Sequence, residues 1–174
     1  MASNRLAWLK GRMRPSPSLI LFIGFIPVIA FFRNNVADLA AVNGESMYPF
    51  LNDNKDQSLK RDWFLNWKWG IEKNLERGMV VTFRSPYNPD GWAVKRIIGL
   101  EGDIIRTKKG YPFAEERVPQ GHIWVEGDGE KTLDSNTYGP ISKRLLVGKA
   151  AYMLLPLRKF GPIHPAPVQG RLVE

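Results

Sequence analysis

Two residues could carry chemistry between them. Ser46 stands in Asn43-Gly44-Glu45-Ser46-Met47-Tyr48-Pro49-Phe50-Leu51, a hydroxyl among turn-forming residues and a proline. Such a string can present an exposed hydroxyl on a stiff loop; equally, its Ser can bond its own backbone. Lys95 stands in Trp92-Ala93-Val94-Lys95-Arg96-Ile97-Ile98-Gly99-Leu100. On an alternating strand, Lys95 shares an inward face with Ala93 and Ile97, and Arg96 faces out. Burial disfavours an ammonium, so an inward Lys can act as a neutral base near neutral pH. The alternative is a Lys whose head snorkels to solvent. A Ser hydroxyl needs a base, and a desolvated Lys amine can be that base.

Composition leaves little room for other chemistries. The 174 residues include no Cys, which removes disulfides, thiolate zinc sites and Cys nucleophiles together. The two His, His122 and His164, are little material for a metal site or a His-based relay. The net charge is +8. Arg5, Lys10, Arg12 and Arg14 supply four of those charges within the first 14 residues, where no acid offsets them. A nucleic-acid binder needs a basic stripe with stacking aromatics. Lys108-Lys109 and Arg158-Lys159 are ordinary solvated pairs, so no nucleic-acid partner is expected.

The elements that must position Ser46 and Lys95 follow the basic flank. Residues 15–32 carry no charge, and Arg33 closes the run. Its apolar core over 19–32 is 14 residues. The whole uncharged stretch is 18, inside the range of roughly 17–25 for a membrane helix. Pro27 would kink it, which membrane helices tolerate. A cleaved signal peptide and a buried core helix are the competing readings. A retained helix leaves the basic flank on the cytoplasm-like side and residues 33–174 across the membrane.

Beyond the helix the chain reads as β. Residues 80–83, 93–100, 103–107, 122–128 and 150–157 are short runs of branched and aromatic residues between Gly, Pro, Asn and Asp. Over residues 62–69, Trp63, Leu65, Trp67 and Trp69 fall on one face. Asp62, Asn66 and Lys68 fall on the other, with Phe64 the exception. That alternation predicts a strand with its tryptophans in the core; the alternative is an aromatic patch for a membrane surface. The tail over 161–174, rich in proline, reads as irregular and exposed. The expected organisation is a flank over 1–14, an anchor over 15–35, a β domain over 36–160 and that tail.

Ser46-Met47-Tyr48-Pro49 resembles the nucleophile box of the type I signal peptidases. Arg77-Gly78-Met79-Val80-Val81-Thr82-Phe83 resembles their next box, with Met79 where an Asp is usual. Lys95-Arg96-Ile97-Ile98-Gly99-Leu100-Glu101-Gly102-Asp103 is similar to their lysine box. Gly121-His122-Ile123-Trp124-Val125-Glu126-Gly127-Asp128, then Asp134-Ser135, resembles the last. The boxes stand in family order over roughly residues 18–157. The family usually continues Asp-Ser-Arg, but Asn136 follows Ser135 here. That ending, and the small size, resemble the subunit 2 branch found in the mitochondrial inner membrane.

The resemblance implies a single antiparallel β domain of the signal-peptidase type behind one N-terminal transmembrane helix. It implies a Ser–Lys endopeptidase with Ser46 as nucleophile and Lys95 as general base, without metal or organic cofactor. Thr132 would support Lys95, and Asp134 and Ser135 would order their loop. Gly44 occupies a position where many members carry an oxyanion-hole Ser. N–H groups of the loop containing Gly44, Met47 and Pro49 would therefore do more, since one lost donor costs on the order of 3 kcal/mol. The partners implied are a homologous subunit 1 in a heterodimer, inner-membrane lipid, and preproteins with small uncharged residues before the cleaved bond. The β domain would face the intermembrane space, with residues 1–14 on the matrix side. A membrane-tethered, non-catalytic assembly subunit is the alternative.

Overall fold

Gly and Pro cut the chain into short segments, and these pair into two antiparallel sheets in the computed structural model. It describes residues 16–53, 61–88, 90–130, 132–168 and 170–173. In chain order come α1 (Pro17–Asn35), β1 (Ala37–Ala41), β2 (Trp63–Trp67), β3 (Val80–Arg84), β4 (Trp92–Gly99) and β5 (Ile104–Arg106). Then follow β6 (Glu115–Arg117), β7 (His122–Glu126), α2 (Ser135–Tyr138), β8 (Ile141–Ser142), β9 (Leu146–Leu155), β10 (Gly161–Pro162) and β11 (Leu172–Val173). The main sheet runs β1-β2-β9-β3-β4-β7-β8, with β10 paired to β9, and the smaller sheet runs β11-β5-β6. The mostly β expectation holds, and each predicted apolar run contributes a strand.

Both faces of the central strands are covered. On β3, Val81 and Phe83 pack with Met79, Ile97, Ile123 and Val125. Val80 faces the other way, into Val42, Met47, Leu51 and Phe64. Four consecutive buried residues on β3 follow from that double cover. A third cluster of Ile98, Ile105, Val118 and Trp124 joins the small sheet to the large one.

Three expectations change. β2 forms as an alternating strand, but its core face is the opposite one: Phe64 and Asn66 are wholly buried, and Trp63 and Trp69 stand 40% and 62% exposed. The polar residues turn inward because they find partners there. Asn66 donates to Asp38 at 3.0 Å and accepts from Thr82 at 2.8 Å. Asp62 accepts from the Asn52 N–H at 2.9 Å and pairs with Lys159 at 3.0 Å. A satisfied buried polar group is tolerated, and the period of two then puts the tryptophans on the open face. Arg96 is the second change: it is buried rather than outward, because it too has partners. Third, the tail is irregular only in its middle. β10 pairs with β9 and β11 with β5, so the tail stitches the two sheets together.

α1 spans 19 residues with Pro27 inside it, about 28 Å at 1.5 Å per residue. Its large apolar side chains from Ile20 to Phe32 are exposed. Among the described residues, no helix is long and apolar enough to cross a membrane. The flank over 1–14 lies outside the described residues.

Candidate active site

Ser46 lies in the loop between β1 and β2, and the loop is fixed from below. Met47 and Leu51 are wholly buried, and each contributes about 1.5–3 kcal/mol by leaving water. Around them, the Tyr48 N–H donates to the Glu45 carbonyl at 3.0 Å and the Leu51 N–H to the Met47 carbonyl at 2.8 Å. Asn52 Nδ2 donates to the Gly44 carbonyl at 3.0 Å. Gly44 has φ +85°, a conformation that suits glycine. Ser46 itself is half-buried, and Pro49 is exposed at the rim.

Lys95 comes from β4, opposite Val81 of β3. It is 4% exposed, beside Ile97 and Val81 of the core. Burial pushes its amine down to about 8, against the opposing pull of the Asp134 and Asp128 carboxylates. Among the described residues, Nζ makes no hydrogen bond or ion pair and does not bond Ser46 Oγ. Catalytic hydrogen bonds often tighten only when substrate binds.

The segment between β7 and α2 brings the two halves together. The Gly129 N–H donates to the Ser46 carbonyl at 3.1 Å. A Cβ on Gly127 would lie 2.4 Å from that same carbonyl oxygen, and one on Gly129 would lie 2.5 Å from the Glu45 carbonyl oxygen. Glycine at both positions lets the two backbones touch. Asp128 between them grips Arg96 through a two-pronged pair, Nε to Oδ1 at 2.9 Å and Nη2 to Oδ2 at 2.6 Å. Arg96 Nη1 also donates to the Gly78 carbonyl at 2.8 Å, and its guanidinium lies 4.8 Å from the Phe50 ring centre. The turn that holds Ser46 is thus bolted to the residue after Lys95.

Asp134 is buried and fully engaged. Its Oδ2 accepts from Thr132 Oγ1 and from the Gly127 N–H, the latter at 3.1 Å. Its Oδ1 accepts from the Asn136 N–H at 2.9 Å, capping α2, and from Asn136 Nδ2 at 3.1 Å. Ser135 Oγ accepts from the Val125 N–H at 3.0 Å. Burial and the Asp134 charge together push the Tyr138 phenol well up. Thr132 therefore donates to Asp134 and not to Lys95. Among the described residues, no cluster of His, Asp or Glu could hold a metal.

The signal peptidase family profile, peptidase S26, matches residues 16–111. The chain belongs to that family. Mitochondrial inner membrane protease subunit 2 of Saccharomyces cerevisiae is 42% identical over 145 residues, 82% of this chain and 81% of that one. The mouse (Mus musculus) protein of the same name is 42% identical over 137 residues, covering 78% and 77%. Human (Homo sapiens) mitochondrial inner membrane protease subunit 1 is 34% identical over 139 residues, covering 76% and 78%. As a member of this peptidase family, the chain is a serine peptidase.

Two residues beyond the sequence reading organise the peptidase's site. Asn136, which stands where the family pattern has an Arg, bonds Asp134 and accepts from the Lys108 N–H at 2.7 Å. An amide two residues after a capping Asp was the available signal. Asp128 stands at the end of the last box, but its role needs Arg96, 32 residues away.

Proposed function

We propose that this chain is a membrane-bound serine endopeptidase of the mitochondrial inner membrane. It removes presequences from proteins delivered to the intermembrane space, through a Ser46–Lys95 dyad. One observation carries the reading: Lys95 is 4% exposed, burial pushes its amine down to about 8, and it feels the carboxylates of Asp128 and Asp134, on the segment whose Gly129 N–H bonds the Ser46 carbonyl. At pH 7 about one such amine in ten is neutral, against under one in a thousand for free Lys.

Neutral Lys95 takes the proton of Ser46 Oγ, which attacks the scissile carbonyl. The tetrahedral oxyanion is held by backbone N–H groups of the Ser46 loop. Lys95 then gives its proton to the leaving amine, the C–N bond breaks, and an acyl-serine remains. Water, deprotonated by Lys95, releases the acyl group. Thr132, Asp134 and Ser135 act on Lys95 by ordering the loop behind it.

β1 supports a place for substrate. It is an end strand of the main sheet and stops five residues before Ser46, so an extended presequence can add beside it. Small uncharged side chains before the cleaved bond suit that approach. A homologous subunit 1 is the partner in this reading.

In this reading the anchor is residues 15–35, the uncharged run of the sequence together with the end of α1, a helix that alone does not meet the length and apolarity of a full span. The helix length of about 28 Å falls just short of a hydrocarbon core of about 30 Å, a mismatch that bilayers absorb by local thinning. Residues 1–14 then lie on the matrix side, 36–160 form the catalytic domain in the intermembrane space, and 161–174 close it. The test is incubation of the reconstituted protein with candidate preproteins, wild type beside Ser46→Ala. Cleavage by the wild type alone is expected. Equal cleavage by Ser46→Ala assigns the chemistry to another subunit.

A further inference from the structure

A buried polar chain closes the Ser46 loop and reaches back to Gly44. Asn52 is 1% exposed and Asp62 is wholly buried. Asn52 Nδ2 donates to the Gly44 carbonyl at 3.0 Å, and the Asn52 N–H donates to Asp62 Oδ2 at 2.9 Å. Lys159 Nζ donates to that same Asp62 oxygen and to the Phe50 carbonyl, each at 3.0 Å. The Val42 N–H donates to the Asp62 carbonyl at 2.9 Å. Both ends of the loop are thus tied to Asp62, just before β2. Asn52 has φ +60°, in the left-handed region that Asn tolerates better than most residues. Buried polar groups are costly unless partnered. Met47 and Leu51 already anchor the loop by burial, so this chain adds direction to it.

The direction is imposed on the peptide between Gly44 and Glu45. That peptide is trans, so its C=O and its N–H point opposite ways. With the C=O held by the buried Asn52 amide, the Glu45 N–H points out of the loop's interior, and the Glu45 side chain is exposed. Among the described residues, neither the Glu45 N–H nor the Ser46 N–H donates a hydrogen bond. Gly44 has φ +85° and no side chain that could donate in their place. Successive N–H groups in a left-handed and turn conformation make a concavity that suits an anion.

We infer that Asn52 is the positioning residue of the oxyanion site: by holding the Gly44 carbonyl, it aims the Glu45 N–H, beside the Ser46 N–H, at the substrate oxygen. When Ser46 Oγ attacks, the Oγ–C bond forms, the carbonyl π pair moves onto that oxygen, and Lys95 takes the Oγ proton. Donors fixed in advance need no reorganisation as the charge develops. Asn52 touches no substrate and acts through the Gly44–Glu45 peptide; Asp62 and Lys159 hold it in turn.

The inference rests on Ser46 being the nucleophile, and the test separates the two. The reconstituted full chain is assayed on one preprotein, and kcat and KM are measured for each form. In one form, made by in vitro translation with a suppressor tRNA, the α-hydroxy acid counterpart of Glu45 replaces the N–H by an ester oxygen and keeps the side chain. Its kcat should fall by about a hundredfold or more, the effect of one lost oxyanion donor, with KM little changed. Asn52→Gly suits φ +60° and leaves the Gly44 carbonyl unheld. Its kcat should fall by about tenfold to a hundredfold, as for a misplaced group, again with KM little changed. Asn52→Asp, equal in size but with an acceptor facing the Gly44 carbonyl, should show the same fall and serves if glycine loosens the fold. Circular dichroism and urea unfolding accompany each form. Lower stability with kcat unchanged makes Asn52 merely structural and overturns its role. An ester form at the wild-type kcat, beside an inactive Ser46→Ala, overturns the inference and keeps the dyad. Cleavage by Ser46→Ala at the wild-type rate overturns both.

Discussion

Gly127 and Ser46 meet backbone to backbone: a Cβ on Gly127 would stand 2.4 Å from the Ser46 carbonyl oxygen and equally close, 2.4 Å, to Thr132 Cγ2. A real Cβ does not sit so near a backbone oxygen, and that oxygen cannot rotate aside as a side chain could. Gly127 thereby sets the spacing between the nucleophile loop and the loop of Asp134. Gly127→Ala should displace Ser46 relative to Lys95. A shift of about 1 Å in a positioned group costs on the order of a hundredfold in rate. Single-turnover cleavage should show that loss while circular dichroism keeps the β signal. A rate near wild type would mean that this contact does not set the geometry.

The Arg96–Asp128 pair links the Lys95 strand to the Ser46 loop, so it should matter to stability and rate together. Arg96→Lys keeps the charge but loses the fork and the stacking on Phe50. The expected destabilisation is about 1–3 kcal/mol, read from urea unfolding. Asp128→Asn should cost a similar amount. The double variant should cost clearly less than the sum, because each change breaks the same pair. Additive costs would show that the two side chains act separately.

Thr132 and Asn136 both act through Asp134, and their variants should be mild. Thr132→Val removes one donor to the carboxylate and should slow cleavage less than Ser46→Ala or Lys95→Arg. Asn136→Ala removes a bond to Asp134 and one from the Lys108 N–H, and should lower stability by about 1 kcal/mol. Thermal unfolding and cleavage of one preprotein check both. If Thr132→Val is as inactive as the dyad variants, its hydroxyl touches the reacting groups directly.

Strand existence was legible where apolar residues alternate between turn residues, as at residues 80–83 and 93–100. The choice of buried face was not. On β2 it depended on partners 28 and 16 residues away: Asp38 and Thr82 satisfy Asn66 and draw the Phe64 face inward. Alternation along one strand cannot register them. The inward turn of Arg96 is hidden for the same reason, since Asp128 reaches it only after β4 and β7 pair. β10 and β11 were invisible because two residues each make no pattern. Ser46 and Lys95 stood out as residue types that need each other; the glycines that join their loops did not, because a glycine's role lies in what approaches it.

The buried Lys95 gives a prediction that needs no substrate. Its amine titrates at about 8 in the folded chain, against 10.5 for the unperturbed group. Below pH 8 both states carry the charge, and the folded state bears the cost of burying it. Above 10.5 neither does, so the cost fades as pH rises between the two values. The full difference is on the order of 3 kcal/mol, at about 1.4 kcal/mol per pKa unit. Lys95→Met keeps much of the shape without the charge, so it should be more stable than wild type at pH 7. That gain should fall by more than half at pH 9.5. Urea unfolding of both proteins at the two pH values measures it. Wild-type cleavage should rise with pH through about 8, in step with neutral Lys95, and Lys95→Arg should be inactive at both pH values because its guanidinium stays charged. A Lys95→Met gain that does not change with pH would show that the Lys95 ammonium bears no burial cost, and a cleaving Lys95→Arg would remove Lys95 as the base.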